Sequence, residues 1–88
     1  MIYPVYSMYS DSLKAFSQPF FNSGDDVASE IFSHYVRSEI SLEDRPSLRL
    51  FRIGSFDDQA ALFIPEDRKL IIDAISISDI KESSNAPQ

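Results

Sequence analysis

Adjacent carboxylates at Asp57-Asp58 are the first candidates for chemistry in this 88-residue chain, because such a pair can share a divalent cation that takes several oxygen ligands. No third acid is placed with them by spacing, and the same pair closes an Asx-type turn between two apolar runs. Asp25-Asp26 opens a helical pattern, where negative charge complements the helix dipole and needs no metal. The single histidine, His34, falls on the polar side of that pattern and reads as a solvated surface residue. There is no cysteine, so disulfides, thiolate metal centres and Cys nucleophiles are excluded. Gly54 stands alone in Ile53-Gly54-Ser55, outside any glycine-rich phosphate loop. No residue set is assigned as catalytic, and neither a metal nor a cofactor is expected.

What remains is a juxtaposition of cations and rings. Arg49 and Arg52 lie on a strand-like segment with Phe51, and Lys14 stands near Phe16. A cationic groove with stacking aromatics is how proteins hold single-stranded nucleic acid, at about 1–3 kcal/mol per stacked base. The candidates for such contacts are Lys14, Arg49 and Arg52, with Tyr6 or Phe16 as stacking rings. Charge works against them. Eight basic and 14 acidic side chains give a net charge of −6, which repels bulk DNA and anionic membranes alike. Any such role therefore needs a local basic patch.

The elements that must position these residues are legible from periodicity. A hydrophobic content of 43%, with seven Phe and four Tyr, is that of a folded chain. Residues 1–80 read as one α+β domain and 81–88 (KESSNAPQ) as a flexible tail. Ile2–Tyr9 is aromatic and β-branched and predicts a strand; Asp11-Ser12 turns; Ala15–Phe21 predicts a second strand, with Pro19 forcing an edge or an end. Ser23 is the candidate N-cap of an amphipathic helix over Asp25–Ser38, with Val27/Ala28, Ile31/Phe32 and Tyr35/Val36 as its apolar stripe. Ser41–Ser47 is a connector that Pro46 keeps from being helical. Leu48–Phe56, apolar on both faces, predicts a central strand, and Ala60–Ile64 its hairpin partner. For 66–76, Pro65 at N1 with Leu70, Ile71, Ala74 and Ile75 behind it suits a short second helix. A strand, from the alternation around Ile75 and Ile77, is the alternative. The expected fold is α+β, an antiparallel sheet of three to four strands packed on one amphipathic helix, with that second short helix towards the C-terminus. No apolar run reaches the ~20 residues of a membrane span, and the N-terminus has no basic signal-peptide region, so a cytoplasmic location is expected.

The order of motifs carries a resemblance. Asp11-Ser12 with Lys14-Ala15, then Phe16-Ser17-Gln18-Pro19-Phe20-Phe21, a helix with Ala28 and Phe32, and Leu50-Phe51-Arg52-Ile53-Gly54-Ser55-Phe56-Asp57-Asp58 resemble the small non-structural protein of gokushovirus-type microviruses, tailless phages with circular single-stranded DNA. The motif positions are Pro19, Phe20, Phe21, Gly54, Phe56, Asp57 and Asp58. The sequence departs from the pattern at Gln59-Ala60-Ala61, where a glycine often follows the acidic pair. The resemblance implies a non-enzymatic phage protein that binds single-stranded DNA during genome replication or packaging in the cytoplasm of the bacterial host. Acidity favours an alternative, a protein-interaction module acting on a phage or host replication factor. A homodimer is the further expectation: if Leu48, Leu50 and Arg52 line the sheet face away from the helix, a second copy would cover the leucines.

Overall fold

The computed structural model describes residues 1–77, so the expected tail 81–88 lies outside the described residues. The strands are β1 (Ile2–Ser10), β2 (Ala15–Phe16), β3 (Phe20–Phe21), β4 (Leu48–Asp57) and β5 (Leu62–Asp73), and the helix α1 spans Asp25–Glu39. They form one five-stranded antiparallel sheet in the order β2-β1-β4-β5, with β3 also paired to β1. The fold is α+β, as the periodicity indicates.

The predicted second strand is two dipeptides, β2 and β3, flanking Ser17–Pro19. Pro19 offers no N–H, and Ser17 occupies the gap. Its hydroxyl accepts from Met8 N at 3.0 Å, and its carbonyl accepts from the Ser7 hydroxyl at 2.8 Å. Ser7 is thereby satisfied at a buried position.

Helix α1 starts from Gly24, not Ser23, and among the described residues no side chain caps it. Its first turn is held by charge instead, through Asp25 and Asp26. Ala28, Phe32 and Val36 are buried, whereas Val27, Ile31 and Tyr35, expected in the same stripe, are exposed. The helix therefore buries a narrower face than its sequence suggests. Its C-terminus is closed by Arg45, which the sequence reading passed over as part of a polar connector. From a 3-10 turn (Leu42–Ser47) the buried Arg45 guanidinium donates to the Val36, Ile40 and Ile77 carbonyls at 3.3–3.4 Å. Ile40 is the helix C-cap, so its carbonyl lies beyond the helical ladder, whereas the Val36 carbonyl also accepts from Ile40 N at 3.0 Å.

The second helix predicted over 66–76 is absent. Those residues continue β5 to Asp73, and only Ala74–Ser76 forms a 3-10 turn. Pro65 is tolerated because β5 is an edge strand, and it sits opposite Gly54 beside an irregularity of the β4–β5 ladder. A second register shift, between the Leu50–Ile72 and Phe51–Leu70 pairs, leaves Ile71 as an extra residue. That insertion turns a two-residue alternation into an apparently helical spacing.

The core joins Tyr6, Leu50, Ala28, Phe32, Val36, Ala74 and Ile77, with Met8, Phe20, Leu48 and Ile72 packed against it. Leu50 is fully buried beneath the helix. This overturns the placement of Leu48, Leu50 and Arg52 on the opposite face, and with it that route to a homodimer. Burial of side chains such as Leu50 and Val36 stabilises by about 1.5–3 kcal/mol each.

Candidate nucleic-acid interface

Alternation along β1 sends Tyr6 and Met8 to the helix and Tyr3, Val5, Ser7 and Tyr9 to the other face. Through the β1–β4 register, Tyr3 meets Phe56, Val5 meets Gly54, Ser7 meets Phe51 and Tyr9 meets Arg49. From β5, Phe63 opposite Phe56 and Leu70 opposite Phe51 join the same face, and so does Arg68, two residues before Leu70. Among the described residues no helix covers this face. It is paved with aromatic rings in two groups.

The first group centres on Phe16. Its ring lies 4.8 Å from Tyr9 and 5.8 Å from Phe51, and the Arg68 guanidinium stands 5.5 Å from its centroid. Tyr9, Phe16, Phe51, Arg49 and Arg68 line a shallow pocket of about 320 Å³. A guanidinium over a ring is attracted by the ring quadrupole, worth about 0.5–1 kcal/mol at an exposed site. The second group is Tyr3, Phe21 and Phe56, with Phe21 at 6.4 and 5.5 Å from the other two. Phe63 lies across Gly54. A Cβ there would fall 2.7 Å from the Phe63 ring and 2.5 Å from the Ile64 carbonyl oxygen, so only glycine lets β4 and β5 approach this closely.

The sequence candidates are placed unequally. Phe16 stands on the open face and is 38% exposed. Arg49 is there too but is held by acids: it meets Asp11 at 2.8 Å, and its Nε lies 3.4 Å from Asp73 Oδ1. The latter is an ion-pair distance without hydrogen-bond geometry, since that buried oxygen accepts no hydrogen bond among the described residues. Lys14 is exposed in the β1–β2 turn at φ 54°, with no ion pair among the described residues. Two candidates fail on geometry. Tyr6 is wholly buried on the helix side, where its hydroxyl donates to Asp25 at 2.7 Å, so it cannot stack on a base. Arg52 lies on the helix side as well, 3.2 Å from Glu66 and 3.8 Å from Asp25.

Around Tyr6 the charges lock the helix to the sheet. Asp25 accepts from Tyr6 and from Lys69 at 3.1 Å, and Glu66 accepts from Ser55 and Arg52. Burial, then the bond to Asp25, pushes the Tyr6 phenol well above its ordinary value. The Tyr6 bond foremost, with Lys69 and Arg52 adding to it, holds Asp25 below the usual carboxylate range. The Ser55 bond does the same for Glu66.

The motif residues have structural tasks. Phe20 packs on Tyr6, with centroids 6.1 Å apart, and Phe21 and Phe56 belong to the second ring group. Asp57 Oδ1 accepts from Gln59 N at 3.0 Å, the anticipated Asx turn, and Asp58 binds the N-terminal amine at 2.7 Å. The acidic pair is thus spent on turn geometry, and no cluster of potential metal ligands occurs among the described residues. Arg68 was missed because it fell inside the supposed second helix. Counting back two residues from Leu70 along a strand would have put it on the ring-bearing face.

A small α+β domain with one helix-covered and one open aromatic sheet face is what the chain presents. It belongs to the Phage ORF5 protein family, whose model matches residues 3–77. It is therefore a phage protein, as the motif order indicates. No match was found among curated proteins or among solved structures. Among the described residues no helix is long and apolar enough to cross a membrane.

Proposed function

We propose that this phage protein binds single-stranded DNA across its open face, in replication or packaging of the viral genome. The observation that carries the reading is Phe16, ringed by Tyr9 and Phe51 and overlain by Arg68. Bases stack on the rings, while Arg68 and Lys14, neither paired with a carboxylate among the described residues, face phosphates. Acids such as Asp26, Glu30 and Glu39 belong to the helix on the opposite side. Local potential on the open face is thus less negative than the net charge implies.

Fluorescence anisotropy with a labelled oligothymidylate at low salt tests this. Two or three phosphate contacts give a salt slope of roughly −1.4 to −2.1. Phe16→Ala should weaken binding about tenfold without changing that slope, taking about 1.4 kcal/mol per lost stack. Arg68→Ala should weaken binding and reduce the slope by about 0.7. No binding at ~10 µM protein, or equal binding by both variants, overturns the reading.

A second reading is favoured by the exposed row Val27, Ile31 and Tyr35 on the acidic helix, which suits a protein partner with an apolar groove. A pull-down from infected cells separates the two. Capture that survives nuclease and is lost in Ile31→Asp supports this one.

A further inference from the structure

We propose that β5 pairs with β5 of a second copy, antiparallel about a two-fold axis between Asp67 and Arg68, joining two sheets into one. Among the described residues β5 is a 12-residue edge strand whose only ladder is with β4. Among the described residues none of the loop, turn or cap backbone hydrogen bonds involves residues 62–73. Apolar side chains at both ends of it are open to solvent, with Leu62 at 54% and Leu70 at 47% exposure.

The middle of the strand decides the partner. Edges are usually blunted by charge, proline or a bulge, and β5 carries all of these. A run of one sign would repel its own copy. The run here is Glu66-Asp67-Arg68-Lys69, acid-acid-base-base, which becomes its own complement when the strand is reversed. In that register Glu66 meets Lys69 of the second copy, Asp67 meets Arg68, Pro65 meets Leu70 and Ile64 meets Ile71. Antiparallel partners must share a sheet face, and the folded chain meets this condition. Glu66 and Lys69 both lie on the helix side, in contact with Arg52 and Asp25, while Pro65 and Leu70, opposite Gly54 and Phe51, both lie on the open face. Pro65 lacks an N–H and the ladder is irregular near it, so the joint is shorter than the strand and the charges set its register.

Such an axis is perpendicular to the sheet. It keeps both open faces on one side and brings the two Arg68 side chains together at the centre.

Sedimentation equilibrium of the full chain at ~100 µM, without nucleic acid, tests the pairing. The expected result is a particle of twice the 10.0 kDa chain mass that dissociates as salt rises. Asp67→Arg places like charges across the axis and should weaken the dimer at least tenfold. The double variant Asp67→Arg/Arg68→Asp restores complementarity with the signs exchanged and should restore the dimer. Neither Asp67 nor Arg68 is buried, and circular dichroism of the three proteins should show the same folded spectrum and a cooperative melt. A wild-type monomer at that concentration, a dimer undisturbed by Asp67→Arg, or a double variant as monomeric as the single one refutes the proposal. Because no oligonucleotide is present, these outcomes are independent of whether the open face binds DNA.

Discussion

Replacing Tyr6 by phenylalanine removes one oxygen from a fully buried side chain and leaves the ring that packs against Phe20 in place. The lost bond runs to an ionised carboxylate, Asp25, at 2.7 Å. A hydrogen bond to a charged group contributes about 1.5–3 kcal/mol, and Lys69 continues to hold the other carboxylate oxygen. The expected loss at pH 7 is therefore about 2 kcal/mol, or roughly 8–16 °C in melting temperature for a domain of this size. The pH dependence makes the test specific. Asp25 has a depressed pKa in the folded state, so its contribution is present above the ordinary carboxylate range and is lost as pH falls through the folded value. The gap between wild type and Tyr6→Phe should then narrow towards the ~1 kcal/mol of a neutral hydrogen bond. Urea titrations at pH 7 and at about pH 2.5 measure both quantities. A loss below about 0.5 kcal/mol at pH 7, or a gap that does not shrink in acid, would refute the assignment of the Tyr6–Asp25 bond as the helix anchor.

Gly54→Ala forces a methyl group against the Ile64 carbonyl and the Phe63 ring and should destabilise by about 1–3 kcal/mol in urea unfolding; Phe63→Leu should relieve it only in part, because the carbonyl contact is backbone. Arg45→Met keeps the stem and removes the guanidinium from three carbonyls, so a loss of about 2 kcal/mol is expected, with amide exchange accelerated around Val36–Ile40. The Tyr6 phenol is raised in the folded state, so its contribution is complete below the ordinary tyrosine value near 10 and is lost as pH rises beyond it. Unfolding midpoints should therefore fall above about pH 10 in wild type and less steeply in Tyr6→Phe.

The helix and β1 were legible because each keeps one period over its length: four-residue recurrence from Ala28 to Val36, and two-residue alternation along β1. β4 was legible from the apolar residues on both its faces, although the extra residue Ile53 shifts its alternation between Arg52 and Gly54. β5 was not, since its irregular ladder near Pro65 and the extra residue at Ile71 shift the alternation, so that Leu70, Ile71, Ala74 and Ile75 mimic a helical stripe. The candidate site was half legible for a related reason. That cations and rings would meet was readable from Phe16, Phe51 and Arg49. Which of them share a face depends on pairing register: alternation separates Tyr6 from Tyr9, three positions on, but no local pattern says which of the two faces the helix. The placement of Arg52 was hidden on the same ground: the β4 register turns it towards Asp25 and Glu66, away from the rings.

Helix α1 begins at Asp25 beside Tyr6, and the core follows it towards Met8, Leu48 and Ile72. The opposite end of the sheet, Ile2–Pro4 with Ser55–Asp57 and Leu62–Ile64, extends past the helix with Ile2, Leu62 and Ile64 exposed. Opening that wing uncovers little new apolar surface, so it requires far less free energy than unfolding the whole chain. The molecule is consequently graded along its strands, with slow-exchanging amides around Met8 and Leu50 and fast ones near the Asp57 hairpin. Phe16 and Arg49 sit at the stiff end, opposite the part of β4 that the helix clamps. Those rings are therefore a surface already in place, and in the proposed binding the ordering entropy would fall on the ligand and not on the protein.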